Sequence, residues 1–475
     1  METAIGSENV TASAAPVTHK RAFSPRFMTP LLMGAALNPI NSSLIATALL
    51  PIAGAMHVPV GHTAILISSL YLTSAIAQPT LGRLSEEFGP RRVFLAGIAI
   101  VMVGGVVGGL ARNLTTMVVA RVLIGLGTSA GYPSAMLVIR RRATAVGLQS
   151  PPGSVLGGLA VTSAVTLAIG PAIGGLVVGW FSWRSVFLVN VPVALIAFGS
   201  ALRWIAKDRD HVRVRSVNEV AKRIDLGGVL AFAAGVTALL IFLMGLPTVR
   251  WVALVVFVAA ATLLVQLELR AGNPFIDVRL MVSNGPLTRT YVRYAMTLLG
   301  IYVMLYGFPQ WAEGSHGLSP YLAGLVLIPM GVLSAVTARI VSSLPRLRPS
   351  LIASSIFLIV GAFAQLFLTR GSPVIAMIGV TALFGFVAGF GNVTNQTVLY
   401  KEAPPENLGT AAGLLRTFGY VGSIAAATIT GFVFRHRVDD HGLHVVSIVL
   451  VVIGVIVLIM TVADRQLGRA DVATN

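Results

Sequence analysis

The sequence predicts an all-α integral membrane protein of fourteen transmembrane helices, in two six-helix bundles with two extra helices between them. Three observations carry that expectation. Charge is scarce: 11% of the 475 residues are charged and 55% are hydrophobic, with mean hydropathy +0.85. A soluble domain carries about 25% charged residues, so the fitting solvent is lipid. Apolar stretches near the roughly 20 residues needed to cross a bilayer recur along the chain. The basic residues alternate between the loops as the positive-inside rule requires.

The stretches run 27–53, 62–80, 93–111, 115–139, 153–178, 185–204, 226–246, 251–269, 290–312, 320–342, 350–368, 373–397, 408–433 and 444–463. Turn chemistry separates them, as in "EEFGPRR", "RNLTT", "LPTVRW", "TRGSP" and "KEAPPENLG". The first 26 residues are polar and include Lys20, Arg21 and Arg26. No cleavage site follows the apolar run after them, so they read as a cytoplasmic tail and not as a signal peptide. The spans group into an N-terminal bundle (27–204) and a C-terminal bundle (290–463). Between them come a charged cytoplasmic linker (205–225), two spans (226–269) and a cytoplasmic loop (270–289). A short tail (464–475) closes the chain.

With the N-terminus inside, the inner segments collect Arg83, Arg91, Arg92, Arg140, Arg141, Arg142 and the basic run between 203 and 225. They also collect Arg270, Arg279, Arg289, Arg293, Arg339, Arg346, Arg348, Lys401, Arg465 and Arg469. The outer segments hold only Arg112, Arg184, Arg250, Arg370, Arg435 and Arg437, and Arg121 and Arg416 fall inside spans. This asymmetry places both termini in the cytoplasm of a cell membrane, most simply a bacterial inner membrane. It also accounts for the net charge of +17. The basic loops face anionic headgroups, and no nucleic acid is needed as a partner. Without cysteine there are neither disulfides nor thiolate chemistry. HExxH, nucleophile-elbow and P-loop motifs are absent, so neither an enzyme nor nucleotide-driven transport is expected. No cofactor or metal is implied. A membrane sensor or scaffold is a further class, but no appended soluble domain supports it.

The halves echo each other: "GLGTSAGYPSAMLVIRRR" ends the fourth span of one, and "GFGNVTNQTVLYKEAPPENLG" the fourth of the other. Repeated halves mark a secondary transporter whose site lies at their interface. Five motifs extend this reading. "GRLSEEFGPRR" (82–92) joins spans two and three, "RVLIGLG" (121–127) lies in span four, and "GPAIGG" (170–175) lies in span five. "RIDLGG" and "NPFIDVRL" flank the two extra spans.

The first resembles the cytoplasmic signature loop of the major facilitator superfamily, Gly-x-Leu-x-Asp-Arg-x-Gly-Arg-Arg. Gly82, Leu84, Gly89, Arg91 and Arg92 match, and Glu86 stands for the Asp. The resemblance implies an inner gate in which Glu86 meets a helix N-terminus of the opposite half, around 407–410. "RVLIGLG" resembles the superfamily's Arg-x-x-x-Gly-x-Gly motif. Arg121 lies about 10 Å inside its span at 1.5 Å per residue, so it needs a cavity or a partner. "GPAIGG" matches the antiporter motif Gly-Pro-x-x-Gly-Gly at Gly170, Pro171, Gly174 and Gly175. The glycines permit close helix approach, and the proline removes one ladder bond. The two extra spans, their flanking segments and "GTAAGLLRTFGYVGS" resemble the 14-span drug:proton antiporters, which export drugs, dyes, antibiotics and some metabolites.

The first span departs from that family. Export members usually carry Asp-x-Thr ahead of "ALP", whereas here "LNPINSSLIATALLP" places Asn41 in the acidic position and Ser43 for the Thr. An amide cannot titrate, and no span carries an acid at its centre. Glu313 near the outer end of span nine, or Glu86, is the possible proton site. Asn38, Asn41, Ser42 and Ser43 are candidate ligand-binding groups. In the second half Tyr302, Tyr306 and Gln310 share one helix face at i, i+4, i+8. Asn392, Asn395 and Gln396 cluster in span twelve, and Arg416 lies inside span thirteen. The expected function is proton-coupled efflux of amphipathic small molecules by a monomer that alternates between inward- and outward-open states. The alternative, favoured by Asn41, is a metabolite exporter or facilitator without proton coupling.

Overall fold

A computed structural model of the chain describes residues 22–148, 151–208, 225–245, 250–272, 274–342, 344, 346–403, 408–464 and 466–467. Its regular elements are helical throughout. In the first half α1 is Pro25–Leu44, α2 Leu49–Met56, α3 Ala64–Phe88, α4 Pro90–Gly109, α5 Leu114–Ser129 and α6 Gly131–Ala145. This half ends with α7 Gly153–Trp180, α8 Ser185–Leu188 and α9 Asn190–Trp204. The accessory hairpin is α10 Leu226–Gly245 and α11 Trp251–Glu268, followed by the short α12 Val278–Ser283. The second half runs α13 Gly285–Gly314, α14 Pro320–Val326, α15 Ile328–Val341, α16 Leu347–Gln365, α17 Val374–Glu402, α18 Leu408–Val433 and α19 Asp440–Ala463.

Among the described residues, 11 helices are long and apolar enough to cross a membrane, and a bent pair raises the count to 12 if it is one span. The bent pair is Pro25–Thr47 with Leu49–Met56, at 61°. The sequence reading treats 27–53 as one uninterrupted span, and the break has a local cause. Pro51 has no N–H for the Thr47 carbonyl, and its ring crowds that carbonyl. Other boundaries follow ordinary capping rules. The Asn113 side chain accepts from Thr116 N–H at 2.8 Å to start α5, and Asn284 accepts from Leu287 N–H at 3.1 Å to start α13. Gly89, between α3 and α4, has φ +96°, a conformation that glycine adopts without penalty.

One end of the bundle carries Arg91, Arg92, Arg140–Arg142 and both ends of the described chain; we call it the basic end. Arg142 Nε donates there to Ala22 O, and Arg289 meets Asp464. At the basic end the halves have separate cores. Leu31, Phe94, Ile139 and Ala201 belong to the first, and Leu287, Tyr291, Leu399 and Leu414 to the second. Through the middle and toward the far end the halves share one core, with Leu44, Leu70 and Tyr71 against Tyr306, Phe308 and Leu327. The halves thus share a core at one end and keep separate cores at the basic end. The accessory hairpin straddles this seam: Val229 and Phe232 pack on Ala75 of α3, with Tyr420 of α18 alongside.

Candidate substrate path and gates

The break in the first span creates the first feature of the path. The last carbonyls of a helix have no partner in their own ladder, and α1 ends at Leu44. Two of its final carbonyls are claimed from elsewhere. Arg121 on α5 donates Nη1–H to Asn41 O at 3.0 Å and Nε–H to Leu66 O of α3 at 2.9 Å. Tyr306 on α13 donates its hydroxyl to Ser42 O at 3.0 Å. One acceptor is therefore filled from within the first half and its neighbour from the second.

Arg121 is 1% exposed, its Nη2 has no hydrogen-bond partner, and no carboxylate pairs with it among the described residues. The guanidinium thus keeps its charge with only carbonyl dipoles to stabilise it. Beside it the Tyr71 and Tyr306 hydroxyls lie 2.7 Å apart. Because Tyr306 gives its proton to Ser42 O, Tyr71 is the donor in that pair. The Tyr302 and Tyr306 rings stack with centroids 5.6 Å apart, Tyr71 meets Tyr302 edge-on at 5.3 Å, and Tyr420 lies 5.8 Å from Tyr71. Four tyrosines from α3, α13 and α18 therefore close the seam in mid-bundle. Of the predicted stripe, Tyr302 and Tyr306 take part. Gln310 instead donates Nε2–H to Tyr306 O on its own helix at 2.9 Å.

Toward the basic end the contacts across the seam become polar. Tyr420 donates to Gln78 Oε1 at 2.6 Å, and the Arg416 guanidinium sits 3.7 Å from the Tyr132 ring centroid. Asn38 spans α1, α3 and α5 by donating to Ser74 Oγ at 2.9 Å and Thr128 Oγ1 at 3.0 Å. Asn392 is half-buried and Gln396 exposed.

Other predicted groups turn away from the seam. Asn41 donates to Leu37 O at 2.8 Å and to Asn190 Oδ1 at 2.6 Å, so its amide is satisfied inside the first half. Ser42 and Ser43 donate their hydroxyls to Pro39 O at 2.7 and 3.0 Å. Asn395 accepts from Arg293 Nε at 3.0 Å. Arg293, read from sequence as a charge of an inner segment, is wholly buried on α13. It donates Nη2–H to Thr290 Oγ1 at 2.8 Å and lies 3.7 Å from Asp464, which also binds Arg289. Thr290 in turn donates to Glu402 at 2.8 Å. Glu313 lies at the far end with its Oε1 buried and unpartnered.

"GPAIGG" works as two faces of α7. A Cβ on Gly170 would strike Ser43 Oγ, and one on Gly174 would strike Leu44 O, so this face lies on α1. Gly175 lies directly against Pro320 O of α14, and Gly324 against Pro171 O. The motif therefore brings the two halves into backbone contact toward the far end. The helix runs unbroken through Pro171.

In the "GRLSEEFGPRR" loop, Asp208 caps α4, accepting from Arg92 N–H at 3.0 Å and Arg91 N–H at 3.4 Å, and it lies 3.5 Å from Arg141. Gly82 is half-buried, and Arg91 Nη2 donates to Leu202 O at 2.9 Å. Arg83 Nη2 donates to Pro274 O at 2.8 Å. Glu86 is exposed. Its expected contact around 407–410 lies outside the described residues at 407 and outside the described side chains at 408–410. Sequence reasoning missed Tyr71, Asn190 and Asp208. Tyr71, a lone tyrosine in the aliphatic second span, carried a readable signal. Asp208 carried none.

Residues 31–427 match the Major Facilitator Superfamily. The chain belongs to that superfamily. It is similar to the MFS-type transporter YwoD of Bacillus subtilis, with 30% identity over 93% of this chain and 97% of the relative. It is also similar to the tetracenomycin C resistance and export protein of Streptomyces glaucescens, with 27% identity over 86% and 75%. Among solved structures, a proton-dependent oligopeptide transporter superposes with TM-score 0.67 at 15% identity, covering 95% of this chain and 99% of that one. This last likeness concerns the fold. The superfamily consists of transporters and not enzymes, and the Arg121–tyrosine centre lies between the two halves of this transporter fold.

Proposed function

We propose that this chain is a 14-span secondary exporter of amphipathic small molecules, working by alternating access in a bacterial inner membrane with both termini in the cytoplasm. The observation that carries the reading is the buried Arg121 beside the four-tyrosine seam. A charged donor and stacked rings lie where the two halves meet. Helices α10 and α13 supply the seventh and ninth spans, beyond those recognised by length and hydropathy. The positive-inside asymmetry makes the basic end cytoplasmic. Separate cores on the cytoplasmic side and a shared core at the far end suit the loading state of an exporter. The export relative supports the direction. Binding opens the Tyr71–Tyr306–Ser42 contacts, because a ligand between the halves competes for the same hydroxyls and carbonyl.

With no carboxylate paired to it among the described residues, the charge of Arg121 favours neutral or acidic amphiphiles over cations. The energy source is a proton gradient, with Glu313 or Glu86 as the proton-carrying group. A second reading, a facilitator without proton coupling, is favoured by one observation. Asn41 stands where the family has an acid, and its amide is bound to Asn190. Proteoliposome transport across a panel of neutral, acidic and cationic amphiphiles, with and without an imposed pH gradient, separates the two. Export that rises with the gradient supports coupling. Equal rates with and without it support the facilitator, and no transport of any compound refutes both.

A further inference from the structure

Two motifs beside the accessory hairpin have no place in the path described above, yet the fold brings them together. Asp225 of "RIDLGG" has φ 52°, a left-handed conformation that Asp tolerates better than most residues. Its Oδ1 accepts from Gly228 N–H at 3.1 Å, and its Oδ2 from Phe275 N–H of "NPFIDVRL" at 3.0 Å. Glu268, the last residue of α11, accepts from the next amide, Ile276 N–H, at 3.0 Å through Oε1. The preceding carbonyl, Pro274 O, is held by Arg83 of the gate loop. Three successive backbone groups are thus gripped by three charged side chains from α3, the start of α10 and the end of α11.

Gly228 lets the two carboxyls approach. A Cβ there would collide with both Asp225 Oδ2 and Glu268 Oε1, so both lean over the same bare patch of backbone. Glu268 is 1% exposed, and its Oε2 has no hydrogen-bond partner. Glu268 is shielded from water and lies against a second carboxyl, so charge on both costs repulsion that a proton on Glu268 relieves. Other charged groups come from each element that packs here, Glu87 of α3 and Arg270 after α11 among them. Arg83 and Glu86 come from α3. Asp277 caps α12 through Leu280 N–H, and Arg279 donates to Leu269 O. On α18, Arg416 is engaged by Tyr132.

We propose that Glu268, held against Asp225, is a proton-binding carboxyl, and that the two together fasten the accessory hairpin to the gate loop through Arg83. Without a proton on Glu268, its negative charge helps to hold Arg83 at Pro274, and the gate loop stays tied to the hairpin. Binding of a proton there weakens that hold and lets Arg83 turn to Glu86 on its own helix. The hairpin then serves as a cytoplasmic pH-sensing clasp on the inner gate. This inference rests on the alternating-access reading for its consequence, but its chemistry can be tested separately.

The chain has no cysteine, so a Phe88→Cys, Val282→Cys pair accepts two nitroxide labels at exposed positions on either side of the clasp. Double electron–electron resonance on the full chain in lipid nanodiscs then reads the α3–α12 distance from mildly alkaline to mildly acidic pH. The expected result is a short, narrow distribution at alkaline pH that lengthens and broadens on acidification. Glu268→Gln, which keeps the Ile276 acceptor but cannot ionise, fixes the broad form at every pH, and Asp225→Asn, which removes the neighbouring charge, moves the pH at which the distribution broadens. Arg83→Gln gives the broad form without pH dependence. A distribution unchanged with pH in the parent pair, or a full pH response retained in Glu268→Gln, overturns the proposal. Transport by the labelled parent keeps the two readings apart. Transport without a pH-dependent distance sinks only the clasp, and a pH-dependent distance without transport sinks only the exporter.

Discussion

Among the described residues two arginines lie wholly inside this bundle, one in each half, and they are held by opposite means. Arg121 is bound by the carbonyls of Asn41 and Leu66, with no acid paired to it among the described residues. Arg293 is bound by Asp464, the Asn395 amide and the Thr290 hydroxyl. A buried cation with a carboxylate partner forms a closed, nearly neutral unit, and removing one member leaves the other stranded. A buried cation held by dipoles alone keeps its charge. The Arg293 cluster, at the basic end of the second half, fastens α13, α17 and α19 together. Arg121 fills the carbonyl next to the one that Tyr306 holds from the other half. Isolated charge at the seam suits ligand binding, and neutralised charge inside one half suits architecture.

The largest expected effect separates these roles. Arg293→Ala strands buried Asp464 with only Arg289, and the loss expected for breaking a buried pair is about 3–5 kcal/mol. Thermal unfolding in detergent should show it as a markedly lower Tm and poor yield. Equal stability of the variant and the parent would remove the contrast with Arg121.

Arg121→Lys comes next. A point charge cannot reproduce the two-carbonyl fork, and one buried acceptor loses its donor, at about 1–3 kcal/mol. Transport should fall much further than stability. The check is rate per folded molecule, and a rate equal to that of the parent would reduce Arg121 to a structural filler.

The gates should respond more mildly. Gly174→Ala places a methyl against Leu44 O and Thr47 Oγ1, and overpacking of this kind costs about 1–3 kcal/mol. Membrane insertion should be normal and export slow, and unimpaired export would reduce the α7–α1 contact to simple packing. Tyr306→Phe removes one hydrogen bond to Ser42 O and one to Tyr71, each worth about 0.5–1.5 kcal/mol. It should shift the population toward opening at the far end. Labelling of a cysteine introduced at Gln310 by a membrane-impermeant thiol reagent in intact cells measures that shift. A rate no faster than in the Tyr306 parent would contradict a sealing role.

The contrast between the arginines also marks what was legible in the sequence. Helix positions and the two-half plan depend on hydropathy and loop charge, which read along one dimension. The depth of Arg121 and the close packing of Gly170, Gly174 and Gly175 follow from spacing on single helices, so they were legible too. Partner choice was not. The amide of Asn41 meets Asn190, and Arg293 looked like a loop charge until the ends of α17 and α19 were brought to it. Such pairings are settled by helix rotation and by which helices become neighbours, and helix periodicity does not specify either. The break after Thr47 lay between these cases. Pro51 was there to read, though the sequence reading treats the span as unbroken, and the use of the Asn41 and Ser42 carbonyls by Arg121 and Tyr306 needed the fold.

The unneutralised charge of Arg121 beside the tyrosine seam is the central claim, and one measurement addresses it most directly. Uptake of a matched pair of dyes, one neutral and one a quaternary cation of the same ring system, is followed in inverted vesicles carrying the unmodified chain. The expected result is uptake of the neutral dye well above that of the cation, with the difference lost in Arg121→Gln. Robust, pH-driven uptake of the cation by the unmodified chain would contradict the claim.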